Sequence, residues 1–189
     1  MFEYDVLERA RLVGKHIVLP EGNDDRILRA ASTLLTRRAV GLTLLGDEQA
    51  IRARAAELGL DIDAANIIST SDENLAPLFA KTLFELRKDK GLSLEEAEDL
   101  VADVSYFGTM MVHLGYADGM VSGAAHTTAH TITPALKIIK TQPGVSVVSS
   151  VFFMCLADRV LVYGDCAIVP DPTADQLADI AASAATTAA

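Results

Sequence analysis

The chain has 189 residues, half of them hydrophobic, and its 26 Asp and Glu against 16 Lys and Arg give a formal charge of -10. That balance excludes a nucleic-acid binder, whose affinity rests on a basic footprint, and the apolar content excludes a disordered chain. Cys155 and Cys166 have no CxxC spacing and no accompanying His at ligand spacing, so neither a zinc site nor a disulfide framework is indicated and a reduced cytoplasmic setting fits. The opening residues lack a signal-peptide pattern and the apolar runs are too short for a bilayer, so a soluble protein without a membrane role is expected.

Apolar residues near helical spacing predict a helix over Phe2 to Val13, followed by a short buried strand, Lys15 to Leu19, stopped by Pro20. After the loop Pro20-Glu21-Gly22-Asn23-Asp24, the stripe Ile27, Leu28, Ala31, Leu34 and Leu35 predicts a helix capped by Asn23 or Asp24. A strand over Val40 to Leu45, a helix over Glu48 to Leu58, a strand at Ile67-Ile68 and a helix from Leu75 to Lys90 ended by Gly91 follow. Ser93-Leu94-Glu95-Glu96 reads as a capping box, and Val104 to Leu114 as a mostly buried helix. Asp118 to Val121 reads as a strand running into the loop Ser122-Gly123-Ala124-Ala125-His126-Thr127-Thr128, and Pro134 places the start of the next regular helix near Thr133. Val145 to Leu156 and Val160 to Tyr163 predict an antiparallel pair, and Thr173 to Ala189 an alanine-rich helix. Alternating strands and helices give an α/β class, a layered sheet with flanking helices. The change of character at Gln142-Pro143-Gly144 divides the chain into a first α/β domain, 1–141, and the start of a second, 142–189.

Ligands of open α/β sheets bind beyond the carboxyl ends of strands, and the 122–128 loop has the composition for that place. It offers backbone donors at Gly123 and Ala124 with little bulk around them, and hydroxyls at Ser122, Thr127, Thr128 and Thr131. An acyl phosphate or phosphate suits those donors; a strand-to-helix turn with capping hydroxyls is the plainer alternative. His126 and His130 are four residues apart, but with no third ligand nearby no metal is expected. Arg87 ends a helix, where a cation favours the dipole, and in so acidic a chain it is also a candidate anion ligand. Arg26 either faces a ligand or pairs with Asp25. The segment Tyr163-Gly164-Asp165-Cys166 is either site or turn, and both cysteines read as buried thiols.

Five segments in one order resemble phosphate acetyltransferase: His16 to Gly22, Phe84 to Gly91, Asp118 to Thr128, Ser149 to Met154 and Tyr163 to Thr173. The resemblance extends over nearly the whole chain. It implies acetyl transfer between coenzyme A and orthophosphate, the CoA thiolate attacking the carbonyl of acetyl phosphate directly, with coenzyme A a substrate and no cofactor. It also implies a cleft between two α/β domains of isocitrate/isopropylmalate-dehydrogenase-like type and a homodimer or larger assembly. Arg87 matches a phosphate-binding arginine of the family, and Ser122, Gly123, Ala124, His126, Thr127 and Thr128 match its acyl-phosphate loop.

Two departures accompany that resemblance. Where the family commonly reads Thr-x-Arg-Pro, this chain has Thr131-Ile132-Thr133-Pro134, so one phosphate-binding cation is absent unless Lys137 or Lys140 replaces it. The family domain also continues past the equivalent of Ala189. Its catalytic serine, arginine and aspartate are therefore expected beyond these residues, with an incomplete second domain and little activity for the chain alone. A non-catalytic module binding acyl phosphate or CoA, and a phosphate butyryltransferase-like enzyme, are the alternatives.

Overall fold

The computed structural model describes residues 2–189 and divides into two compact units, residues 5–139 and a smaller unit of Lys140 to Ala189 with residues 2–4. α1 (Phe2–Val13), which enters the larger unit at Asp5, leads there into β1 (His16–Leu19), α2 (Asp25–Thr36), β2 (Gly41–Leu45), α3 (Glu48–Glu57), β3 (Asn66–Ile68), α4 (Leu75–Arg87), α5 (Leu94–Val101), α6 (Val104–His113), β4 (Gly119–Met120) and α7 (Thr128–Ile138). The four strands form one parallel sheet in the order β3-β2-β1-β4. Sheets of that kind are buried on both faces, which is why β1 and β2 read as continuous apolar runs.

Alternation along the strands splits the core in two. Val18 and Leu45 face a layer built from α4, α5 and α6, including Phe79, Leu83, Phe107 and Met110. Leu19, Leu42 and Leu44 face α2 and α3 through Leu28, Ala31, Ile51 and Ala55. Phe79 and Phe107, both fully buried, meet edge to face at 4.8 Å between ring centres. Each such ring contributes about 1.5–3 kcal/mol by burial, so this pair ties α4 to α6 within one layer. Thr43, the one polar side chain buried in β2, is matched by His16 Nε2 at 2.8 Å.

The helix boundaries follow local chemistry. Asp24 caps α2 by accepting from the Arg26 N–H, and the Ser93–Glu96 capping box opens α5 with both of its bonds made. After Arg87 the predicted last turn of α4 tightens into a single 3-10 turn, Lys88–Lys90. The position of α7 differs from expectation, since the helix begins at Thr128 and carries Pro134 inside it. Thr127 accepts from the His130 N–H and so nucleates the helix five residues earlier than the proline predicts. Pro134 then removes one interior N–H, a cost the flanking structure absorbs.

In the smaller unit, β5 (Val151–Cys155) and β6 (Val160–Gly164) pair antiparallel, with α8 (Ala174–Ala188) packed on β6 through buried Ile180. The first of these strands is shorter than the predicted Val145 to Leu156. β6 offers a ladder only five residues long, and Ser146 is drawn to α8 instead, its N–H donating to Asp179 at 2.9 Å. A two-stranded sheet with one helix leaves its other face open, so Phe152, Met154 and Tyr163 are exposed there, and Phe153, which alternates to the helix-bearing face, is exposed as well. The cysteines follow suit: Cys155 is exposed and Cys166 half-buried, contrary to their reading as buried thiols. Tyr163-Gly164-Asp165-Cys166 is the end of β6 running into a turn, in which the Asp165 carboxylate accepts from the Ile168 and Val169 N–H groups.

Candidate functional site

The chain runs from β1 through β2 to β3 on one side and then places β4 on the other side of β1. The crevice beyond the carboxyl ends of β1 and β4 is therefore the switch point of the sheet, where open α/β folds bind ligands. The Pro20 to Asp24 loop leaves β1 there, and the 121–127 loop leaves β4. A cavity of about 390 Å³ opens between them and the end of β2, lined by Asn23, Asp24, Gly46, Val104, Ala125 and His126 among others.

The two loops are joined through one carboxylate. Glu21 is only 5% exposed. Its Oε2 accepts from the N–H groups of Gly123 at 3.0 Å and Ala124 at 2.8 Å, and its Oε1 from those of Ala125 at 2.7 Å and His126 at 3.0 Å. His126 Nδ1 adds a fifth contact at 2.8 Å. Gly123 has φ +108°, a region closed to most residues, and this is what lets consecutive N–H groups turn toward one point. Burial alone would raise the Glu21 pKa, but the donors from Ala125, Ala124 and His126 outweigh it and lower the value from 4.5 to about 2.

This corrects the expected role of Gly123 and Ala124. Their donors are taken by an internal carboxylate rather than left for an anionic ligand, because the loop after β1 carries Glu21 to them. Thr127 is the cap of α7, as above, and Thr128 is its exposed first residue. Ser122 remains half-buried beside Thr131, whose hydroxyl donates to Ser122 Oγ at 3.5 Å. Arg26 pairs with Asp24 rather than Asp25, through bonds of 2.9 and 2.7 Å, and also donates to the Ala124 carbonyl. The side-chain bond from Arg26 comes first among the causes that hold the Asp24 pKa down at about 2. Asp25 belongs instead to Arg54.

The rings of His126 and His130 stack at 4.5 Å, nearly parallel, so the four-residue spacing does bring them to one face. His130 is bracketed by Asp103, whose Oδ2 lies 2.9 Å from Nε2, and by Ser105 Oγ, 3.1 Å from Nδ1. Asp103 also caps α6 by accepting from the Ser105 and Tyr106 N–H groups. The order Ser-His-Asp has the outline of a hydrolytic triad, but Ser105 is fully buried and no substrate carbonyl can reach it. No group of three or more His, Cys, Asp or Glu side chains suited to a metal occurs among the described residues.

Arg87 lies elsewhere in the same unit. It lines a cavity of about 260 Å³ with Lys90, Glu96, Tyr106 and Lys137, which shares no wall with the Glu21 crevice. Lys137 Nζ donates to the Tyr106 hydroxyl at 3.1 Å. The Glu96 carboxylate is already engaged by the Ser93 N–H in its capping box, and Arg87 has no side-chain hydrogen bond or ion pair among the described residues. Three cations thus converge on one depression of an acidic chain. Thr133 is uncharged and its hydroxyl bonds back to the Ala129 carbonyl, whereas Lys137, one turn further along α7, does reach the Arg87 cavity. Glu21 and Asp103 escaped the reading of the sequence, because each acts through partners that fold to it from other elements.

The family described as Phosphate acetyl/butaryl transferase matches residues 1–189. A phosphate acetyltransferase of Nitratidesulfovibrio vulgaris is 56% identical over the whole chain, which spans 27% of that relative, and one of Corynebacterium glutamicum is 53% identical, with 57% spanned. Among solved structures, a phosphotransacetylase from Staphylococcus aureus superposes with a TM-score of 0.88 at 42% identity, covering 98% of this chain and 57% of its own. One from Streptococcus pyogenes gives 0.88 at 41%, covering 95% and 55%. The chain spans between about a quarter and just over half of the relatives it matches, and it belongs to the phosphate acetyl/butaryl transferase family.

Proposed function

We propose that this chain is part of an acyltransferase that moves acetyl between coenzyme A and orthophosphate, with acetyl-CoA, CoA, phosphate and acetyl phosphate as its ligands. The observation that carries the reading is the family match over all 189 residues. In the direction of acetyl-CoA synthesis a C–S bond forms to the acetyl carbon as its C–O bond to phosphate breaks, and phosphate leaves. Geometry supports an anionic ligand at the Arg87 cavity, where an unpaired guanidinium, Lys90 and Lys137 supply the positive charge that phosphate recognition needs. Ser122 and His126, beside the switch-point crevice, are the residues of the 122–128 loop best placed to meet the acyl end.

The chain spans only 57% of the Corynebacterium relative, so the reading includes catalytic serine, arginine and aspartate residues outside these 189. It also includes a larger two-domain cleft of isocitrate/isopropylmalate-dehydrogenase-like type, assembly into oligomers and a cytoplasmic setting; no helix among the described residues is long and apolar enough to cross a membrane. The family description spans two acyl lengths, and this favours a longer acyl group such as butyryl as the second reading. A coupled assay of CoA release from acetyl-CoA and butyryl-CoA with phosphate tests both on the full gene product. Product from neither donor overturns the assignment. The 189-residue chain alone is expected to turn over little or not at all, and activity comparable to the longer protein would refute that.

A further inference from the structure

Glu21 is a buried carboxylate that the acyl-transfer reading leaves without a task. Its surroundings have the form of an anion site. Four consecutive N–H groups, from Gly123 to His126, close on two oxygens, an arrangement that elsewhere cradles a bound phosphate or carboxylate. Besides the carboxylate, the Arg26 bond to the Ala124 carbonyl holds residues 123–126. β4 contributes only two residues before it, Gly123 is at positive φ, and the next regular structure begins at Thr128. Without the carboxylate, four donors would converge on one point with no acceptor, which a loop of this length avoids by opening to water.

The same oxygen governs His126. When the imidazole is neutral, a carboxylate at Nδ1 requires the proton there, and Nε2 is left with the free lone pair. The Arg26 bond to the Ala124 carbonyl ties the other edge of the loop to α2, so both loops at the switch point are set by residues from the β1 side.

We propose that Glu21 is a positioning residue: it serves as a resident anion that templates the 122–126 loop and fixes His126 as the Nδ1–H tautomer, presenting Nε2 as an acceptor beside the switch-point cavity. The assignment rests on the proposed acyl transfer only for what the loop would then handle. A vacated template is a site for a small carboxylate, which makes the idea testable without turnover.

The experiment compares the full gene product with its Glu21→Ala variant by amide exchange and by ¹⁵N spectra of the histidines, each with sodium formate and with sodium chloride at equal ionic strength. In Glu21→Ala the amides of residues 123–126 are expected to exchange at least about tenfold faster and the His126 signal to lose its Nδ1–H signature. Formate, but not chloride, restores both saturably and leaves the wild-type chain unchanged. Unaltered protection in Glu21→Ala, or recovery that fails to saturate with formate, overturns the assignment. If Glu21→Ala does not fold, Glu21→Gln decides. Its side chain keeps one acceptor oxygen, so one pair of amides, either 123 and 124 or 125 and 126, exchanges faster while the other stays protected; equal protection of all four overturns it. Absence of acyl transfer in the full gene product would overturn the proposed function and leave these readouts standing.

Discussion

The Nδ1 atom of His126 and the Oε1 atom of Glu21 lie 2.8 Å apart although 105 residues separate them, and four backbone donors from the same loop share that carboxylate. A group so held must be ionised to make its bonds, and acid stability follows. The folded pKa of about 2 lies below the ordinary 4.5, so the contribution is fully present above pH 4.5 and is lost as pH falls toward 2. Its size is on the order of 3 kcal/mol at neutral pH. Glu21→Gln removes the titration, so the stability gap between wild type and variant, measured by urea unfolding, is expected to be widest at pH 6–7 and to close below about pH 3. A gap that stays constant across this range would show that the carboxylate charge is not what holds the loop.

Asp103 joins two elements, capping α6 and receiving His130. Loss of a cap costs about 0.5–2 kcal/mol, and Asn caps as well as Asp. Asp103→Ala is therefore expected to destabilise the chain by about 1–3 kcal/mol and Asp103→Asn by under about 1 kcal/mol, read by chemical denaturation. Because His130 is left without the same partner in either background, Asp103→Ala and His130→Ala should combine to less than the sum of their separate effects. Full additivity would mean the 2.9 Å contact contributes nothing.

Gly22 brings the β1 loop close against the end of β2, its N–H donating to the Leu45 carbonyl at 3.2 Å. A Cβ there would sit 2.6 Å from the Leu45 carbonyl oxygen and 2.8 Å from Ile51 Cδ1, and the first of these is backbone that cannot swing aside. Gly22→Ala should cost about 1–3 kcal/mol in urea unfolding and, by pushing Glu21 off its donors, raise amide exchange in the 123–126 loop as well. Destabilisation with the loop amides unchanged would separate the two effects.

Much of the larger unit was legible because its periodicities are local. The β1 and β2 apolar runs, the α2 stripe and the Ser93–Glu96 box each declare themselves within a few residues. Pro134 misled because a proline signals a helix start most strongly at the first turn, whereas here the Thr127 cap decides where α7 begins. The small-residue loop after β4 was recognisable as a set of donors. Its acceptor was not, since nothing near Ser122 in sequence indicates that Glu21 will be brought to it by the pairing of β1 with β4. The exposure of Cys155 was likewise invisible, because apolar spacing in β5 says that a face wants cover without saying whether anything covers it.

The Arg87 cavity yields the last expectation. Arg87 pairs with no carboxylate among the described residues, so removing it should leave stability within about 0.5 kcal/mol of wild type. If it meets a phosphate group of the ligand, a charge-assisted bond worth about 1.5–3 kcal/mol disappears, equivalent to roughly a tenfold to hundredfold loss of affinity. Calorimetric titration of CoA and of phosphate into the chain, with Arg87→Ala, Lys137→Gln and Lys137→Glu, separates the contributions. Lys137 is exposed and already donates to Tyr106, so Lys137→Gln should weaken binding only severalfold, about 1 kcal/mol or less. Lys137→Glu places a carboxylate in the same depression and should approach the Arg87→Ala loss by repelling the ligand. Both effects should shrink as ionic strength rises. Equal affinity in Arg87→Ala and wild type, for both ligands, would remove this cavity from the binding site.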